Sequence, residues 1–352
     1  MTVPAPSRPR TPAAQSAPAA LRTEGRDPFF DNAKFLLIVL VMAGHSWSPL
    51  QDSIPAVKAV YSVVYLLHMP AFILICGYFS RGFTGTPRQI RALLTRVLLP
   101  YLLFQAAYQA LDLWISGGPF TFHPTRPTHV LWFLVALFLW RLSVPVWNAV
   151  RHPVALAVAV SLAAGTTEIG YELALPRVLM FLPWFVLGLR LRPEHFDRLH
   201  TPAVRRVACA VLLVALVVTY QLGSWINTDW FNMQYDHNQL GSSLPGYFAL
   251  RILLFVVSGL LVASLLALVP CRRTRYTMLG ALTMFPFLAH GLVIEALEHL
   301  GAADAVGSLG AAAAPLLALF ALALALLLSS RPVRMVLRPL VEPALPARRI
   351  AR

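Results

Sequence analysis

The 352-residue chain is 58% apolar and only 12% charged, where soluble domains run at about 45–50% and about 25%. That balance excludes a soluble globular fold and predicts an all-α, polytopic integral membrane protein. The net charge of +14 does not point to nucleic acid, because the basic residues are scattered between apolar runs instead of forming one patch.

Residues 1–26 are rich in Pro, Ala and Ser and carry Arg8, Arg10, Arg22 and Arg26. This segment cannot bury a core, so a disordered cytoplasmic tail is expected. It has no apolar central region and does not read as a signal peptide. Apolar run length then predicts ten membrane helices, near 34–50, 57–79, 92–115, 129–149, 153–169, 176–191, 206–224, 247–269, 276–298 and 311–330. Residues 27–330 form the membrane domain and 331–352 a basic cytoplasmic tail. With ten spans, 25 of the 29 Lys and Arg residues fall on one side, and only Lys58, Arg126, Arg177 and Arg251 fall on the other. The positive-inside rule then puts both termini in the cytoplasm. Cys76, Cys209 and Cys271 lie in or beside apolar runs with no spaced motif, which predicts reduced packing residues. No metal-ligand spacing appears, so no metal is expected.

The first span carries the chemistry. In FFDNAKFLLIVLVMAGHSW, Asp31 and Lys34 stand at the start and His45 follows Lys34 by eleven positions. Eleven residues make about three turns, so Lys34 and His45 share a face, about 16 Å apart along the axis. Lys34 is then at the inner surface and His45 near the midplane, where an ionisable side chain marks a functional site by default. The candidate catalytic set is His45 with Asp31 and Lys34. His68, on the second span with Tyr61, Tyr65 and Pro70, falls at a similar depth; its other reading is a packed histidine bonded to Tyr65 or to a carbonyl freed by Pro70. His290 on the ninth span is placed in the outer half, with Glu295 and Glu298 beyond it. Trp132 opens the fourth span and reads either as an interfacial anchor or as a substrate platform. Arg88, Arg91 and Arg96 lie on a basic stretch after the second span, read as a short interfacial segment. Their planar forks suit phosphates, and topogenic charge against lipid headgroups is the other reading. The loop near 225–246 has no Lys or Arg and is the longest outer segment; its Trp and acidic residues suit a rim over a cleft.

Together these motifs resemble membrane acyltransferase family 3, near its fucose 4-O-acetylase-like branch. Asp31, Lys34 and His45 match the family's first-helix pattern, with lysine where the family normally has arginine. HMPAFILICGYFS from His68 resembles the branch's second-helix motif, with Cys76 where serine is usual. Arg96 with Pro100 and Tyr101, LWFL at 131–134, the block from Arg177 and FLAH ending at His290 are similar to later family blocks. The resemblance implies transfer of an acyl group, usually acetyl, from coenzyme A to a hydroxyl of a sugar, glycan or glycosylated metabolite. It implies acetyl-CoA as donor substrate and no permanently bound cofactor. Membrane lipids surround the domain, and any second-step extracytoplasmic enzyme would be a separate protein. On this reading Lys34, Arg88, Arg91 and Arg96 meet the donor phosphates, the pantetheine arm threads up to His45, and His45 is either general base or nucleophile. His68, Trp132, His290 and Glu295 are substrate-binding candidates. The expected location is a cell membrane, the inner membrane of a bacterium. The alternative is a proton-coupled membrane transporter or flippase, which midplane histidines and outer carboxylates would also suit.

Overall fold

The structure is a computed structural model that describes residues 26–343; the expected disorder of the first 25 residues and the last nine residues of the basic tail lie outside the described part. The described residues are helical with no strand. In chain order the helices are α1 Pro28–Trp47, α2 Pro55–Ser80, α3 Pro87–Ser116, α4 Trp132–Ala149, α5 Pro153–Ala164, α6 Leu175–Met180, α7 Leu182–Arg190, α8 Pro193–Leu199, α9 Pro202–Gln221, α10 Leu244–Leu268, α11 Met284–His299, α12 Ala302–Gly307, α13 Ala313–Leu328 and α14 Arg331–Val341. Proline opens most of them. It sits in the first two positions of α1, α2, α5, α9 and α10, where its fixed φ suits the first turn and no amide hydrogen bond is lost.

Among the described residues, seven helices are long and apolar enough to cross a membrane, and the pair α6–α7, bent by 56°, is a broken span or a re-entrant loop that would bring the count to eight. The other two of the ten expected spans fall on helices too short to cross by that measure: α5 has 12 residues and α11 has 16. Residues 165–169, expected to extend α5, lie outside it. The sixth expected span breaks at Phe181 because Pro176 and Pro183 each start a separate helix. The third begins earlier than expected. Thr86 and Gln89 form a capping box, and the helix runs from Pro87 through one π turn at Leu94–Leu98. Arg88, Arg91 and Arg96 therefore ride on the transmembrane helix itself, not on a separate interfacial segment.

α1, α2 and α4 form the interior, with most of their apolar windows buried, whereas α9 has 11% of its window buried. α9 exposes Leu213, Val214 and Val217, and α10 exposes Leu253 and Val256, which are surfaces for lipid. α2 meets α7 at Gly77 and Gly188. A Cβ on Gly77 would strike the Phe185 carbonyl, and one on Gly188 would strike the Leu74 carbonyl. Two glycines thus let the backbones touch, as small residues do at membrane helix crossings. The inner end of α1 is fixed by Asn32, which is fully buried. Its amide donates to the Pro270 and Arg272 carbonyls, and its oxygen accepts from Thr274 and Thr277 hydroxyls. Of the three cysteines only Cys76 is partly packed; Cys209 and Cys271 are exposed, which corrects their expected packing role.

Candidate functional site

His45 lines a cavity of about 460 Å³ walled by α1, α2, the start of α4, α6, the 226–242 loop and α11. Helical spacing supplies two walls. Tyr61, Tyr65 and His68 recur at i, i+4 and i+7 on α2, and Gly291, Ile294, Glu295 and Glu298 at i, i+3, i+4 and i+7 on α11. The Tyr61 and Tyr65 rings stack 3.9 Å apart, and Tyr65 meets His68 edge-on. Trp132 is buried, stacks on Phe181 and lines the cavity, so it is a wall and not an interfacial anchor.

His45 and His68 line this cavity, and His290 packs against His45. His68 Nδ1 donates to the Val64 carbonyl at 2.6 Å, one turn back, and not to the carbonyl that Pro70 frees. His290 sits level with His45, not further out: their rings are 5.4 Å apart. His290 is fully buried, and its Nδ1 donates to the Pro286 and Phe287 carbonyls. A carbonyl only accepts, so Nδ1 carries the proton in both His68 and His290, and Nε2 holds the lone pair.

The lining also carries charge. Glu295 Oε1 lies 2.9 Å from His129 Nδ1, and Asp112 Oδ1 lies 3.4 Å from His129 Nε2. Arg177 donates to the Asn232 carbonyl at 3.1 Å and to the Tyr171 hydroxyl at 3.0 Å, with its guanidinium 5.1 Å above the Trp132 ring. Neither Arg177 nor His129 was marked for a site role by its sequence neighbours: Asn232 lies 55 positions from Arg177 and Glu295 lies 166 from His129. Among the described residues, four that are not glycine adopt the left-handed backbone region: His129, Leu173, Ala174 and Met233. All four are in or beside the segments that deliver His129, Arg177 and Asn232 to the cavity. Such strain costs about 1–3 kcal/mol per residue and concentrates at functional sites.

The 226–242 loop contributes Phe231 and Asn232, not the tryptophans and acids expected of a rim. Trp225 is 85% exposed and outside the cavity. Asp236 accepts from the backbone amides of Asn238 and Gln239, holding its own turn. Trp230 is buried against Tyr247, where Arg251 donates to its carbonyl and to Met233 Sδ, both at 2.8 Å.

Asp31 and Lys34 do not share the His45 cavity. Asp31 pairs with Lys34 at 2.8 Å and takes two bonds from Arg26 at 2.9 and 3.0 Å. They line a cavity of about 610 Å³ with Arg26, Arg81, Tyr78 and Phe79. Arg91 and Arg96 line a different one, also about 610 Å³, beside Met284, Phe285 and Glu342; Arg88 lines neither. The basic residues grouped by sequence are thus divided between two cavities. On the α1 face between Lys34 and His45 lie Ile38 and Val41, 0% and 2% exposed, so that face is packed instead of lining an open channel.

A family model described as an acyltransferase domain matches residues 27–330. The chain belongs to acyltransferase family 3. The match starts at Asp27, the N-cap of α1, and ends at Ser330, the N-cap of α14, so it takes in every element of the His45 cavity and leaves α14 outside. It is a match to the family as a whole and does not single out the fucose 4-O-acetylase-like branch. No curated protein and no solved structure matches the chain. As a family member the chain is a multi-pass membrane acyltransferase.

Proposed function

We propose that the chain is an O-acyltransferase that moves an acyl group, acetyl in the simplest case, from acyl-CoA to a hydroxyl of a sugar, glycan or glycosylated metabolite. The observation that carries this reading is the His45 imidazole lining a cavity with aromatic faces, hydrogen-bonding groups and room for a saccharide. Trp132, Tyr61 and Tyr65 offer flat apolar faces, and Glu295, Glu298 and Arg177 offer partners for hydroxyls. The donor approaches from the opposite end of α1, where Lys34, Arg26 and Arg81 gather positive charge for its phosphates. Asp31 holds Lys34 and Arg26 in place there and is a positioning residue.

His45 works by one of two routes. As base, it accepts the acceptor's hydroxyl proton while that oxygen attacks the thioester carbonyl; the C–S bond breaks, and the imidazolium returns the proton to the departing thiolate. As nucleophile, an imidazole nitrogen takes the acyl group first, the thiol leaves, and the acceptor hydroxyl then cleaves the acyl-imidazole. In either route the thioester must pass Ile38 and Val41, which then part to admit it.

The orientation follows the charge count. Both termini and the donor site face the cytoplasm, the His45 cavity faces outward, and the membrane is the inner membrane of a bacterium. Purified protein should release free thiol from acetyl-CoA, with methyl glycosides as acceptors, and His45→Ala should not. A transporter would release none, and that result in the wild type would overturn the reading.

A further inference from the structure

Outside the described cavity contacts, one buried polar atom stands out. His290 Nε2 is wholly enclosed and has no hydrogen-bond partner, although a buried polar nitrogen left unpaired costs about 1–3 kcal/mol. The tautomer is set by the other side of the ring: Nδ1 donates to two carbonyls, so Nε2 can only accept. The neighbouring ring is that of His45, 5.4 Å away between centroids and tilted by 50°. A centroid separation of 5.4 Å is short enough for two ring nitrogens turned toward each other to reach hydrogen-bond distance. Site hydrogen bonds often tighten in this way only when substrate is bound. The His290 ring itself cannot make the adjustment, because Gly291 beside it is packed on Tyr108 and its own Nδ1 is tethered twice.

We propose that His290 is a positioning residue for His45. Its Nε2 accepts an N–H from His45, and that bond decides which nitrogen of His45 carries the lone pair and turns that nitrogen toward the cavity. The logic is that of a nucleophile–base pair oriented by a third group, with a neutral imidazole as the orienting acceptor. As the reaction puts a proton or an acyl group on the cavity-facing nitrogen of His45, positive charge develops on that ring. The His290 lone pair then stabilises it through the remaining N–H. No bond to His290 is made or broken. This inference deepens the acyltransfer reading and rests on it for its purpose, but the pairing itself can be tested without turnover.

The test is the rate at which diethyl pyrocarbonate, which reacts with an available imidazole lone pair, modifies His45, mapped by mass spectrometry on the full-length protein. His68 is the internal standard. It lines the same cavity, and its tautomer is fixed by Val64, independently of His290. In His290→Leu the His45/His68 ratio should fall about tenfold, the effect of losing one orienting hydrogen bond. His290→Gln, which keeps an acceptor, should recover most of it. Should His290→Leu not accumulate, His290→Met fills the space without an equivalent acceptor and carries the same comparison with Gln. An unchanged ratio in Leu or Met, or an equal loss in Gln, would reduce His290 to packing. In the Gln variant kcat for thiol release should also stay above that of Leu with KM for acetyl-CoA unchanged. If wild-type protein releases no thiol while the labelling ratios behave as stated, the acyltransfer reading fails and the histidine pair stands.

Discussion

His45 and Lys34 lie on one helix and one face, yet the structure gives them separate surroundings. His45 belongs to a cavity with Trp132 and Glu295, and Lys34 to one with Arg26 and Arg81. Substitutions at the two should therefore separate in kinetics. His45→Ala should abolish thiol release while leaving accumulation and donor binding intact. Lys34→Ala should raise KM for acetyl-CoA about tenfold, as expected for one charge-assisted contact, with kcat little changed. Asp31 keeps its two bonds to Arg26 in that variant, so α1 should stay in place. Steady-state kinetics on the two purified variants checks both outcomes, and a shared loss of kcat would merge the two sites into one.

At the scale of elements, the packed stretch of α1 between the two cavities is the sharpest departure from the sequence reading. Spacing put Lys34 and His45 on one face, and the family resemblance implied a pantetheine arm threading between them. Ile38 and Val41 fill that path, and nothing in their apolar character distinguishes a channel wall from a plug. If the thioester must displace them, Val41→Trp should cut kcat/KM for acetyl-CoA at least about tenfold by overpacking a filled site. Reaction of His45 with diethyl pyrocarbonate from the outer cavity should persist, since Val41 is not part of that lining. The walls on α2 and α11 were readable, because Tyr61, Tyr65 and His68, and likewise Glu295 and Glu298, repeat at helical spacing. The level of His290 was not. Its depth was counted from Arg275 as if one helix ran from there, but residues 277–281 form a separate 3₁₀ turn and the helix starts only at Met284, so that count does not apply. The glycine contact between α2 and α7 gives a stability prediction of the same scale. Gly188→Val should lower the detergent-solubilised melting midpoint far more than Gly259→Val, because Gly188 lies against the α2 backbone while Gly259 meets only the edge of Trp184.

For the whole molecule, the charge asymmetry read from sequence gains a physical account in its exceptions. Each of the four basic residues on the inferred outer side is engaged locally. Lys58 pairs with Asp52 at 3.3 Å, Arg126 with Glu172 at 2.6 Å, Arg177 holds the Asn232 carbonyl, and Arg251 is buried under Trp230. Arg126 is still a loop cation, its side chain 64% exposed, so the excess of 25 over 4 stands as counted. The chain supplies its own reporter for the test. Cys271 is exposed and adjoins Arg272 on the inferred inner side, while Trp225 is 85% exposed on the inferred outer side. With Cys76 and Cys209 changed to serine, a membrane-impermeant maleimide should label Trp225→Cys in intact cells. It should reach Cys271 only after the membrane is permeabilised. The reverse order would place the His45 cavity on the donor's side of the membrane. It would leave Lys34, Arg26 and Arg81 facing away from cytoplasmic acyl-CoA, and the division of labour along α1 would have to run in the opposite direction.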